Sequence, residues 1–181
     1  MNILILGGTR FIGLHIVEAL LSAGHRVSVF ARGTSPDPLP SSVERLRGDR
    51  NDGAAGLRTL EGRSWDACVD VSGYLPKQVR PSVELLNDRV GQYVFISSAS
   101  AYQTPPSRLP VVESTPLRNP FWQYSRDKIA CEDLLVRAYR DERARCIAIL
   151  GRVLGDLDLA EDAVQDAFVK AAERWPVDPA G

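Results

Sequence analysis

The amino-acid sequence predicts an α/β protein built on a doubly wound parallel sheet, and three observations carry that expectation. Short apolar runs alternate with helix-length segments over most of the chain. That rhythm is the mark of βαβ units. Two of the runs, NILIL after its first residue and YVFI, are apolar, as strands covered on both faces are. Glycine and proline clusters separate the segments.

Taken in order, Asn2 to Leu6 reads as a strand stopped by Gly7-Gly8. Phe11 to Ala23 has helical spacing, with Ile12, Ile16, Ala19 and Leu20 on one face and Gly24 as its stop. Arg26 to Ala31 is a second strand, closed by Gly33 and a Ser/Pro-rich loop. Val43 to Leu46 is a third, followed by GDRNDG and a helical stretch from Ala54 to Leu60. Trp65 to Val71 is a fourth strand, Pro81 to Asn87 a helix, and Tyr93 to Ser97 a fifth strand. A proline-punctuated loop, 104–120, then leads to a long helix from Trp122 to about Glu142.

The 181 residues are 44% hydrophobic and 25% charged, an ordinary globular composition that excludes disordered and collagen-like classes. The formal net charge of −1 argues against nucleic acid and anionic membranes as partners. No run is long enough to span a bilayer. Cys68, Cys131 and Cys146 are too scattered for a disulfide framework or a metal cluster, which fits a reducing, cytoplasmic setting. Two histidines make a metal centre improbable, and none is assigned. Cys68 and Cys131 read as small core residues.

A strand, then GGTRFIG, then a helix is the context in which a glycine turn binds a dinucleotide. Gly7 permits the tight turn and Gly13 lets the helix approach the strand. The amides of Thr9, Arg10, Phe11 and Ile12 lie between them, at a helix N-terminus suited to a pyrophosphate. Arg10 stands where a middle glycine is usual and adds positive charge. At the end of the second strand, Ala31-Arg32 replaces the acid that would bond the ribose hydroxyls of NAD. A guanidinium there suits a 2′-phosphate, so NADP is favoured, with NAD still admissible.

Four motifs in order, GGTRFIG, GDRND, VFISSASAY and YSRDKIACE, resemble the extended and atypical short-chain dehydrogenase/reductase superfamily. More narrowly, they resemble its NAD(P)-dependent epimerase/dehydratase group, whose domain is an NAD(P)-binding Rossmann-like fold. The quoted motifs cover Met1 to about Glu142. Tyr124 and Lys128 are spaced i, i+4 on one helical face, where an ammonium can lower a phenol pKa. The resemblance implies that Tyr124 is the acid/base, that Lys128 also holds the nicotinamide ribose, and that Ser98 orients the substrate, with Ser100 the second choice. It further implies that Asp49, with Arg50 after it, contacts the adenosine, and that Ser72 and Gly73 approach the ribose. Asp70 reads as a structural cap.

The composition shifts near residue 143, so the reading divides the chain into 1–143 and a helical tail, 144–181. The tail has four basic and seven acidic residues. Leu159 to Trp175 reads as a helix capped by Asp158 and Glu161, with Val164, Phe168, Ala171 and Trp175 on one face. RVLGDLDLAEDAVQDAFVKAAERWP is similar to region 2 of extracytoplasmic-function sigma factors, which implies an RNA polymerase contact. CIAIL, 146–150, reads equally as strand or helix.

Three functions follow: an NAD(P)-dependent reductase or epimerase/dehydratase core taking a small-molecule substrate, a non-catalytic dinucleotide-binding module, and a sigma-like interaction fragment. The first is favoured by the Ser-Tyr-Lys set; a homodimer is left open.

Overall fold

The computed structural model describes the backbone of residues 1–154 and of positions 156, 158, 159, 161, 162, 165 and 166, with side chains through Asp141 and at those later positions. The chain divides into two units, Met1–Leu134 and Leu135–Gly181.

The first unit is a five-stranded parallel sheet of order β3-β2-β1-β4-β5, the doubly wound arrangement expected. The strands are β1 (Asn2–Leu6), β2 (Arg26–Ala31), β3 (Glu44–Arg47), β4 (Trp65–Asp70) and β5 (Val90–Phe95). The central strand β1 is buried from Ile3 to Leu6, which explains its unbroken apolar run. One face packs Leu4, Leu6, Phe30, Leu46, Trp65, Cys68 and Leu86 around Leu57 and Leu60. Within that core the Trp65 indole donates to Ser28 Oγ at 3.1 Å, and Ser28 donates to Glu44 at 2.7 Å.

Helix α1 (Phe11–Ser22) joins β1 to β2. It buries Gly13 and Val17, so its inward stripe is rotated from the expected one: Ile12 is exposed and Ala19 faces solvent. The reason is Gly13. Without a side chain it settles against the β1 turn and carries the i+4 position inward with it. Between β3 and β4 the expected helix is broken into a 3-10 turn at Arg50–Asp52, one α-turn, α2 (Gly53–Gly56), and a 3-10 turn at Arg58–Leu60. Gly53 adopts a positive φ of 59°, which interrupts any continuous helix there.

Helix α3 (Pro76–Leu86) begins five residues before the expected start. Pro76 opens it, where a missing N–H costs nothing, and Gln78 Oε1 accepts from the N–H groups of Tyr74 and Leu75. Pro81 therefore lies inside the helix rather than at its head. Strand β5 leaves the ladder at Phe95, so Ser97 stands in the loop beyond it. The loop 102–118 is closed at its base by Gln103 N–H to Pro116 O and Thr104 N–H to Arg118 O. It delivers the chain to α4 (Gln123–Leu154).

In the second unit, α4 carries CIAIL as helix. Positions 158, 159, 161, 162, 165 and 166 are helical. The cap there is Asp156, whose Oδ1 accepts from the N–H groups of Asp158 and Leu159 at 2.9 and 3.1 Å. Asp158, the expected cap, is already inside the helix, because a capping carboxylate bonds the second and third amides beyond it. Val164, Phe168, Ala171 and Trp175 lie outside the described residues. Among the described residues, no helix is long and apolar enough to cross a membrane.

Candidate active site

A parallel sheet concentrates loops at the carboxyl ends of its strands, and the crevice opens where the strand order reverses. Here that point is between β1 and β4. A cleft of about 640 Å³ opens there, lined from the turn after β1, the ends of β2 and β3, and the loops after β4 and β5. Tyr124 and Lys128 of α4 complete its wall.

The glycine turn behaves as its sequence implies. Gly7 has φ 92°, and a side chain there would strike Ser72. A Cβ on Gly13 would stand 2.2 Å from the Gly7 carbonyl oxygen, so α1 reaches the end of β1 only because residue 13 is glycine. Gly7, Thr9, Arg10, Phe11 and Ile12 line the cleft, whereas Gly13 serves it from behind. Helix α1 starts at Arg10 with no capping side chain and no acidic residue in its first turn. Its first amides therefore keep their donors for an anion. Phe11 takes φ 47° and is 85% exposed at the mouth of the cleft.

At the far end, Arg32 lines the cleft with Gly33, Thr34 and Ser35 and is exposed. Asp37, the nearest acid in the sequence, is paired with Arg45 and Arg47 instead. The Arg47 side chain packs within 3.0–3.1 Å of where a Gly33 Cβ would be, a second cation on this rim that the sequence reading missed. Uncapped amides, hydroxyls and cations form a donor set that fits the phosphates of a nicotinamide dinucleotide.

Asp49 lines the cleft and accepts from both the backbone and side-chain N–H of Asn51. Arg50 follows it and also lines the cleft, with its guanidinium Nη1 and Nη2 on the Asp70 carboxylate at 2.6 and 2.7 Å. Burial works against the Arg50 charge, but the Asp70 hydrogen bonds and the attraction of its carboxylate together hold the guanidinium pKa above its ordinary value. Asp70 also accepts from the Ser72 N–H and from Tyr93 Oη. Burial, reinforced by the Asp70 charge, pushes the Tyr93 phenol pKa well up. Ser72 lines the cleft; Gly73 is buried behind it and offers its carbonyl to Lys128.

Lys128 is 1% exposed. Its ammonium donates to the carbonyls of Gly73 at 2.8 Å and Ile96 at 2.7 Å, and lies over the rings of Phe95 and Tyr74. Burial lowers its pKa, with Asp70 pulling the other way. One turn earlier, Tyr124 reaches the cleft between two rings, Trp122 at 5.2 Å and Tyr74 at 6.4 Å. Trp122 and Tyr74 are 56% and 48% exposed, a row of open aromatics that helical spacing alone did not reveal. Cys131 is fully buried on the same helix, its thiol pushed up to about 11 by burial, and so is inert at neutral pH.

The serines divide the work. Ser98 Oγ caps the 3-10 turn at Ala99–Ala101 and sits 2.8 Å from Ser100 Oγ. Ser125, buried beside Tyr124, donates to Ser100 at 2.9 Å. A hydroxyl chain thus ties the two expected serines to α4, and Ser125 was not singled out from the sequence. Of the serines after β5, Ser97 lines the cleft, with its hydroxyl donating to Glu132.

The model of the NAD dependent epimerase/dehydratase family matches residues 3–85 and 83–175. The second match continues past Glu142, where the motifs end, and across the sigma-like stretch. The 2'-dehydrokanamycin reductase of Streptomyces kanamyceticus is 33% identical over 168 residues, 90% of this chain and 47% of that protein. The chloroplast stem-loop binding protein of 41 kDa b from Arabidopsis thaliana is 37% identical over 114 residues, 56% of this chain and 30% of that protein. The chain thus spans half or less of the length of these relatives. Among solved structures, the Bifidobacterium longum UDP-glucose 4-epimerase in complex with NAD+ and UDP superposes with a TM-score of 0.69 at 22% identity, over 79% of this chain and 50% of that one. That likeness is one of fold. With the family's model matched over most of its length, and the parallel sheet and strand-end cleft in place, the chain belongs to the NAD dependent epimerase/dehydratase family.

Proposed function

We propose that this chain carries the dinucleotide-binding and proton-transferring core of an NADP-dependent oxidoreductase or epimerase/dehydratase. Its substrate is a secondary alcohol or carbonyl carbon of a small molecule, with sugar nucleotides the first class to try. The observation that carries this reading is Lys128, a buried ammonium held on the Gly73 and Ile96 carbonyls at the end of the cleft, one helical turn from Tyr124.

When bound, the nicotinamide supplies or accepts the hydride. Lys128 has three N–H donors and commits two of them to carbonyls, which leaves one for a ribose hydroxyl. Tyr124, one helical turn away on the cleft wall, exchanges the proton with the substrate oxygen. For the serine that orients that oxygen the reading keeps Ser98, fixed by Ser100, with Ser100 the second choice; both stand behind Ser97, which is the one of the three that lines the cleft. The amides at the start of α1 hold the pyrophosphate, and Arg32 meets the 2′-phosphate. The family match through residue 175 supports reading the tail as part of the same fold rather than as a polymerase-binding module.

Fluorescence titration with NADPH and NADH, followed by single-turnover NADPH oxidation against carbonyl compounds and nucleotide sugars, tests the proposal. Failure to bind either dinucleotide overturns it. Tight binding without turnover on any substrate favours the non-catalytic module.

A further inference from the structure

Arg50 and Asp70 form a bidentate pair whose side chains are 6% and 0% exposed. Desolvating two charges is expensive, and such pairs are often replaceable by apolar residues without loss of stability. The surroundings of this one point to a second task. Arg50 also donates to the Gln78 carbonyl at 3.0 Å and approaches Ser72 Oγ at 3.4 Å. Asp70 accepts from the Ser72 N–H at 3.2 Å. Gln78 in turn holds the N–H groups of Tyr74 and Leu75. The pair and its partners therefore grip the loop after β4 on both sides of Gly73. That loop supplies the Gly73 carbonyl that accepts from Lys128 and the Tyr74 ring that lies 5.2 Å from its ammonium.

We propose that Arg50 and Asp70 are positioning residues for Lys128, fixing through Ser72 and Gln78 the loop on which its ammonium is seated. The proposal rests on reading Tyr124 and Lys128 as the proton-transfer pair. Arg50 lines the cleft, but its guanidinium is committed to Asp70, Ser72 and the Gln78 carbonyl, so in this role it acts through the loop. The titratable and charged groups facing Lys128 are Asp70 from β4, Arg50 from the 3-10 turn before α2, and Glu132 and the neutral Cys131 thiol from its own helix. The Phe95 and Tyr74 rings complete its surroundings. Asp70 raises the lysine's pKa and Arg50 lowers it, so the pair also limits the pull of one buried carboxylate on the neighbouring ammonium.

The chain has only three lysines, Lys77, Lys128 and Lys170, so Lys128 can be followed alone by NMR of protein labelled at lysine Cε. In the unaltered protein its signal should titrate below the other two. Arg50→Lys keeps a charge on Asp70 but cannot bridge Asp70, Ser72 and Gln78 together. It should move the Lys128 titration upward by on the order of half a pH unit. Turnover at saturating NADPH should fall about tenfold. Arg63→Gln, which breaks an exposed ion pair with Glu44, should move none of these. If Arg50→Lys does not fold, Gln78→Met loosens the same loop from its solvent side and should also move the Lys128 titration. A folded Arg50→Lys or Gln78→Met protein in which Lys128 titrates as before overturns the proposal, whatever its activity. An unaltered protein that turns over no carbonyl substrate counts against the oxidoreductase reading, and the lysine titration then decides the role of the pair by itself.

Discussion

Along the cleft, the β1–β2–β3 end is made of backbone groups and exposed cations, whereas the β4–β5–α4 end is made of buried side chains bonded across long stretches of sequence. At the first end, Gly7 and Gly13 let α1 start against the strand, and Arg10 and Arg32 stand in solvent. At the second, Lys128 bonds Gly73 and Ile96, and Arg50 bonds Asp70. The contrast teaches that binding an anion needs only a short loop of the right shape. Seating a buried charge needs more, because only several elements together can hold one.

Four measurements break or sharpen that contrast. The largest effect should come from Gly13→Ala, because the added carbon meets the Gly7 carbonyl oxygen at 2.2 Å and backbone cannot give way cheaply. A loss of about 3 kcal/mol in denaturant unfolding is expected, with NADPH affinity falling alongside. Wild-type stability in that variant would show that α1 is not held by this approach.

Tyr124→Phe comes next. It removes one hydroxyl and should lower single-turnover rates by roughly 10², about 2.7 kcal/mol, while leaving NADPH affinity intact. Lys128→Ala should damage both, since the ammonium serves the ribose and the phenol. An unchanged rate in Tyr124→Phe removes that residue from its role.

Arg32 marks the binding end. NADPH should bind at least tenfold tighter than NADH, about 1.4 kcal/mol, and Arg32→Ala should abolish most of that preference. Equal affinities in the unaltered protein would contradict it.

The smallest effect concerns acid. Hydrogen bonds from Ser28 and Arg63 hold the Glu44 pKa below its ordinary value, and Arg45 does the same for Asp37. A depressed carboxylate pKa contributes stability above the ordinary carboxylate range, and that stability is lost as pH falls through it. Both groups are partly solvated, so the loss is small. Hydrogen exchange should show β3 amides loosening before those of β1 as the solution is acidified; simultaneous loosening would refute a local effect.

Much of the fold was legible in the sequence because its signals are local. The bounds of β1 and β2 follow from apolar runs ended by glycine, and the alternation of elements implies the parallel order. The glycine turn was legible for the same reason. The misjudged boundaries have local causes that pattern reading overrides: Pro76 and Gln78 open α3 before Pro81, and Asp156 caps where Asp158 was expected. The inward stripe of α1 was misread because its key contact is made by the absence of a side chain at Gly13.

By itself, the sequence determined the α/β class, the phosphate turn and the placing of Tyr124 and Lys128 on one helical face, since each depends on spacing within a few residues. Only the tertiary structure decided what those residues face. It bonded the Arg50 guanidinium to Asp70 at the cleft wall, linked Ser98 through Ser100 to Ser125, put Ser97 rather than Ser98 on that wall, and set Tyr74 and Trp122 beside Tyr124. The physical reason is burial. A charge such as Lys128 is tolerated inside only where carbonyls distant in the chain converge on it, and that convergence is a property of the packed sheet rather than of any one segment.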